Sequence, residues 1–178
     1  MVRVYIPATL AMLSQLVADG AMPARSGTAF AVTPTLREAY SHGDEDELGE
    51  IALQEAALAS LRLLAGEGVG EAGGEGVEGG LPPRRAVLVA QVDGVDGVVL
   101  RPDLDDAVVR LAGPVALADV IAVYVDNSTA EPAVLAAVAA VDAADLGDED
   151  AELTVGDAQD HDLAWYAAQE LPFLLELL

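Results

Sequence analysis

The chain has 178 residues, of which 31 are acidic and 8 basic, and its formal net charge of −23 repels phosphate backbones and anionic membrane faces, so neither nucleic acid nor a membrane is expected as a partner. It has no cysteine, and every basic residue is arginine, which excludes disulfides, thiolate metal sites, cysteine nucleophiles, Schiff bases and P-loop lysines. With 53% hydrophobic residues a substantial core can be buried, and the length predicts one domain over 1–178.

Residues 2–6 read as a strand. Pro7 is expected to end it, Thr9 to cap a helix over 10–18, and Gly20 to close that helix. Residues 28–32 form a second expected strand. Thr33-Pro34 then pairs an N-cap with a first-turn proline, with Thr35 and Glu38 as an alternative capping box, and a short helix runs to Tyr40.

The longest stretch with a single period is 44–64. Asp44 and Glu47 have capping-box spacing, and Glu45, Asp46 and Glu47 place negative charge at the positive end of the helix dipole. Leu48, Ala52, Ala56, Ala59 and Leu63 form one stripe of a 3.6-residue period. Little of the circumference is polar: Glu50, Gln54, Glu55, Ser60 and Arg62. Such a helix is expected to be buried over much of its surface, with Glu55 and Arg62 as a surface ion pair.

Residues 66–80 read GEGVGEAGGEGVEGG. This composition buries too little to offset its ordering entropy and predicts a flexible loop. Residues 86–92 form a near-continuous apolar run of the central-strand kind, and 98–100 are expected to pair with it across the turn at 93–97. Two short strands, 108–111 and 115–117, flank Gly113-Pro114, and 120–125 is a strong strand. Ser128 and Glu131 have capping-box spacing ahead of Pro132 and open an alanine-rich helix over 131–144. Asp142, Asp145, Asp148, Glu149, Asp150 and Glu152 read as a solvated acidic loop; the spacing is not that of an EF-hand, and no metal site is predicted. Residues 153–155 read as an edge strand, and a last helix is expected from a cap at Asp157 or Asp160 to Leu171.

This alternation predicts an α+β fold with helices packed on a mixed β-sheet. Val4-Tyr5-Ile6 and Val123-Tyr124-Val125, each leading into a helix, hint at two similar βα halves. No apolar run reaches the ~18 residues of a membrane span, and the first residues lead into a strand instead of a leader's apolar core. The expected compartment is the cytoplasm.

Four segments, Arg3-Val4-Tyr5-Ile6-Pro7-Ala8-Thr9-Leu10, Ala29-Phe30-Ala31-Val32-Thr33-Pro34-Thr35-Leu36-Arg37, Ser60-Leu61-Arg62-Leu63-Leu64 and Trp165-Tyr166-Ala167-Ala168-Gln169-Glu170-Leu171, are met in this order across almost the whole chain. Together they resemble a family of uncharacterised actinobacterial proteins, a domain of unknown function. The resemblance implies a cytoplasmic bacterial protein and carries over no activity, cofactor or catalytic residue.

Two groups of side chains could carry chemistry. On the expected last helix, His161 and Trp165 share one face while Tyr166 and Gln169 share another, with Glu170 beside them. Read functionally, this is a small-molecule pocket with His161 or Glu170 as acid or base; read structurally, the aromatic rings are core and His161 sits at the helix edge. Tyr5, Arg37 and Tyr40 form a second set, in which Arg37 near a helix start could hold an anion or simply pair with Glu38 or a nearby acid. No phosphate-binding fingerprint or nucleophile elbow is present, and no cofactor is expected.

The first functional reading is a non-catalytic binding or self-associating protein. The alternative is a small-molecule-binding protein or enzyme that uses the polar and aromatic residues of the last helix. The apolar tail 171–178 is expected to dock, either in a groove on its own domain or across the interface of a homodimer, with the dimer preferred.

Overall fold

A computed structural model describes residues 1–68 and 81–178. Most of the expected loop at 66–80 therefore lies outside the described residues. The described residues form an α+β fold, as expected, built on a seven-stranded sheet of order β5-β6-β3-β1-β4-β8-β9. The strands are β1 (Val2–Ala8), β3 (Thr28–Phe30), β4 (Ala86–Val92), β5 (Val98–Leu100), β6 (Val108–Leu111), β8 (Val120–Val125) and β9 (Ala164–Ala167). The short β2 (Ala21–Met22) and β7 (Val115–Ala116) pair separately. The helices are α1 (Leu10–Asp19), α2 (Pro34–Ala39), α3 (Glu45–Gly66), α4 (Glu131–Asp145), α5 (Glu149–Gln159) and α6 (Leu171–Glu176). No helix among the described residues is long and apolar enough to cross a membrane.

Every pairing in the sheet is antiparallel, where a mixed sheet was expected. β3 and β4 run the same way, but β1 lies between them, so they never form a parallel ladder. β5 pairs with β6, not with β4 as its position after the turn suggested. β1 extends through Pro7, which stands opposite Val87. Only Tyr5 of β1 is matched to β3, so the strand has one neighbour beyond that point and tolerates a missing N–H.

Local helix signals are realised where their partners are three residues away. Thr9 Oγ1 accepts from Met12 N, Thr33 Oγ1 from Leu36 N, and Asp44 Oδ1 from Glu47 N. Gly20 closes α1 with φ of 75°, a left-handed conformation that favours glycine. Ser128 does not cap α4. Asn127 instead accepts from Thr129 N, starting a single 3₁₀ turn that leads into the helix. The acidic run also folds differently from expectation: Asp148 Oδ1 accepts from Ala151 N and starts α5, which absorbs residues 153–155 as helix.

Alternation along the strands divides the core. Val4, Ile6, Leu88, Ala90, Val123 and Val125 face α1 and α6. Tyr5, Phe30, Val87, Val89 and Ala122 face α3. The second half of α3 packs on α4 and α5 through Leu61, Leu64, Val134, Val138 and Val155. The helices that follow β1 and β8 thus join different cores, and the similarity of the two βα starts does not extend to packing.

On α3 the buried stripe includes Leu48, Ala52 and Ala56, as the spacing predicted, but passes on to Ser60, Leu61 and Leu64 instead of Ala59 and Leu63. Ser60, assigned to the polar face, is fully buried. Its hydroxyl donates to Ala8 O at 2.7 Å and accepts from Ala86 N at 3.1 Å, joining β1 to β4 where the strands begin to separate. Arg62 pairs with Asp145 of α4 through two 2.9 Å hydrogen bonds, and the expected pair with Glu55 is not formed. Glu55 is two turns away along α3, whereas Asp145 comes alongside through the α3–α4 packing.

The largest correction is at the end of the chain. Residues 164–167, expected within a helix, form β9 on the edge of the sheet beside β8. The tail then returns as α6. Leu171 and Leu174 are buried against α1 within their own chain, while Phe173 and Leu177 are exposed.

Candidate functional site

The first half of β1, the end of β4, the start of α3 and the short α2 surround a cleft of about 420 Å³. Its wall includes Arg3, Tyr5, Val32, Arg37, Glu45, Asp46 and Gln91. Strand alternation puts Arg3 and Tyr5 on the α3 side of β1, and the β1–β4 register places Gln91 opposite Arg3. The Thr33-Pro34 start of α2 carries Arg37 to the cleft, where it forms an ion pair with Glu45 from the first turn of α3. Thr33 also donates its hydroxyl to Asp106 O, which anchors the start of α2. Arg3 is exposed and makes no ion pair among the described residues.

Tyr5 forms the floor. Its ring is buried under α3 at Gly49, where a Cβ would lie 2.9 Å from the Tyr5 hydroxyl. Glycine at this position lets the helix backbone approach the phenol. Farther along the same side of the sheet, burial pushes the Tyr124 hydroxyl above its ordinary pKa; Tyr5 and Glu50 add to the shift, and Arg3 opposes it.

Of the second group singled out from the sequence, Tyr5 and Arg37 therefore meet in one cleft. Tyr40 does not join them. It lines a separate hollow of about 350 Å³ with His42, Glu47 and Ile51. Arg3, Gln91, Glu45 and Asp46 were missed as wall residues, because only the β1–β4 register and the α2–α3 turn bring them together.

The group expected on the last helix is dispersed. His161 lies in the turn between α5 and β9, and its backbone carbonyl, not its imidazole, is held by Arg85. Trp165 and Tyr166 are adjacent strand residues and point to opposite faces. Trp165 stands beside Tyr124 and is 58% exposed; Tyr166 packs toward the α1 side. Glu170 accepts from the backbone N–H of Ala167 at 3.0 Å, and Gln169 is exposed. No group of three or more metal-ligating side chains occurs among the described residues.

A buried polar cluster was also missed. Arg85 and Asp126 are both 0% exposed. Arg85 additionally donates to Gln159 Oε1 and His161 O, both at 2.8 Å, and Gln159 donates to Gln54 O at 3.2 Å. The cluster ties α3, α5, β4, β8 and the approach to β9, and every strong donor of the guanidinium cited here has an acceptor. The available signal was a charge immediately before one apolar strand and another immediately after a second: Ala86 pairs with Val125, so Arg85 and Asp126 stand opposite. Arg85 and Asp126 are closed to solvent, Gln159 and His161 are half-buried, and the cluster lies at the start of β4, whereas the cleft takes Gln91 from near its end.

A sequence profile for a family of unknown function, DUF6912, matches residues 2–175. The chain belongs to that family. The match runs from β1, which supplies Arg3 and Tyr5, through α6, so the cleft and the buried cluster both lie in the family's shared region. No curated protein and no solved structure matches the chain.

Proposed function

We propose that this family member is a cytoplasmic, non-catalytic binding protein whose cleft takes a small zwitterion, a molecule with a carboxylate at one end and an ammonium group at the other. The observation that carries the reading is the charge of the cleft wall. In a chain with a net charge of −23, this wall holds two arginines, Arg3 and Arg37, against two acids, Glu45 and Asp46.

The volume falls within the ~300–1,000 Å³ range of small-molecule pockets. A purely anionic ligand would meet Glu45 and Asp46 as well as the arginines, and a cation would meet the reverse. Arg37 and Glu45 already neutralise each other, which leaves Arg3 for a carboxylate and Asp46 for an ammonium group. Tyr5 and Gln91 add uncharged polar groups. No serine, threonine, cysteine, lysine or histidine is among the residues that line this cleft, and the non-catalytic reading rests on that.

The test is a titration of the protein, followed by NMR, with free amino acids, their N-acetylated forms and their amides. Free amino acids should shift the signals of the cleft-lining residues, both single-charge series should bind more weakly, and Arg3→Gln should weaken binding about tenfold, or ~1.4 kcal/mol. Equal binding of the acetylated series, or no shift at the cleft with any probe, overturns the reading.

A further inference from the structure

We propose that the Tyr5 hydroxyl is the hydrogen-bond donor that, together with Arg3, holds the carboxylate of the cleft's ligand and sets its preference for a free acid. This rests on the zwitterion reading above and names the group that recognises one end of the ligand. Tyr5 is only 8% exposed, yet its oxygen makes no hydrogen bond among the described residues. Nor is that oxygen sealed off: the buried side-chain polar atoms without a partner there belong to Glu67 and Arg84. The small open part of Tyr5 therefore includes its hydroxyl, and Tyr5 lines the cleft.

Packing does not ask for an oxygen at this place. A phenylalanine ring would fill the space under α3 as well, and a tyrosine in a core normally brings its O–H to a partner. The oxygen even restricts the helix above it. A Cβ at residue 49 would lie 2.9 Å from the hydroxyl, so α3 carries glycine, a weak helix former, at a buried position. Two residues thus accommodate a hydroxyl that no hydrogen bond within the described fold uses.

Its neighbours decide what it binds. Glu45 is held by Arg37, and Glu50 accepts from Gln54 Nε2. Arg3 has no ion-pair partner among the described residues. It stands two residues before Tyr5 on the same face of β1, about 7 Å away along the strand. A group between them that takes a donor from each is an acceptor, and a carboxylate offers one oxygen to the guanidinium and one to the phenol. Gln91, opposite Arg3, has an amide that rotates; the buried ring fixes the Tyr5 oxygen before the ligand arrives. Asp46, in the first turn of α3, is left for the ammonium group.

The test is an NMR titration of the full chain with the common free amino acids and their amides. In the wild type the free acids should shift the Tyr5 ring signals more than the amides do. Tyr5→Phe, which keeps the ring, should weaken binding of the free acids at least ~10-fold and change amide binding less, so the preference for the acid shrinks. Combined with Arg3→Gln, its effect should be smaller than in the wild type, because both side chains hold one carboxylate. A folded Tyr5→Phe that binds free acids as the wild type does, while Arg3→Gln still weakens them, overturns this inference and leaves the zwitterion reading standing. So does an equal loss for acids and amides. If circular dichroism shows that Tyr5→Phe does not fold, Tyr5 ring signals in the wild type that stay unmoved by bound free acids overturn it. A wild type that binds none of the probes overturns both.

Discussion

Arg85 and Asp126 face each other across the end of the β4–β8 pairing with four hydrogen bonds between them: Arg85 N and Nε donate to Oδ2 and Nη2 to Oδ1 at 2.8–2.9 Å, and Asp126 N donates to Arg85 O at 3.1 Å. Neither side chain has any exposed surface. Two charges withdrawn from water recover their desolvation only if each is fully partnered, and removing one leaves the other stranded. Asp126→Ala should therefore lower stability by ~3–5 kcal/mol in urea unfolding. Replacing both, as Arg85→Met with Asp126→Leu, should be less damaging than Asp126→Ala alone. A single variant within ~1 kcal/mol of the wild type would contradict this account of the cluster.

Gly49 and Tyr5 make a second testable contact. Gly49→Ala places a methyl 2.9 Å from the Tyr5 hydroxyl, inside contact distance, on a ring that is buried and cannot swing away freely. The expected loss is ~1–3 kcal/mol. Tyr5→Phe removes the obstructing oxygen. In that background Gly49→Ala should become neutral or stabilising by up to ~1 kcal/mol, since alanine is the better helix former. The four proteins form a double-mutant cycle, and additive effects would exclude the steric contact.

Glu55 supplies a pH test. Burial raises its pKa above the ordinary glutamate value of 4.5, Asp105 raises it further, and Arg62 pulls it back. Between the unfolded and the higher folded pKa the folded chain binds more protons, so stability falls as pH rises through that window. The penalty is complete above the folded value and absent well below 4.5. Glu55→Gln should be more stable than the wild type at neutral pH, and the difference should vanish in acid. Thermal melts across pH give the comparison; a pH-independent difference would assign the effect to something other than ionisation.

What the sequence determined by itself is what depends on neighbours a few residues away. Thr9, Thr33 and Asp44 cap their helices because each oxygen meets an N–H three residues on, and Gly20 turns the chain because no Cβ opposes a positive φ. The apolar runs that became β1, β4 and β8, the helix at 131–145 and the α+β class were legible for the same reason. In the candidate site, Tyr5 and Arg37 were legible as residue types, and their meeting in one cleft followed from the fold.

Tertiary structure alone decided the features whose partners are distant in the chain. Trp165 and Tyr166 suit a strand or a helix equally well until β8 offers an open edge. Ser60 reads as a surface residue until Ala8 O and Ala86 N claim its hydroxyl. Arg62 turned from Glu55 to Asp145 because the packing of α3 on α4 brings that carboxylate within 2.9 Å. Arg3 joined Gln91, and Arg85 joined Asp126, through strand register, which no local pattern specifies. Hydrogen bonds and ion pairs act over a few ångströms, so residues far apart in sequence acquire these roles only once the sheet has been assembled.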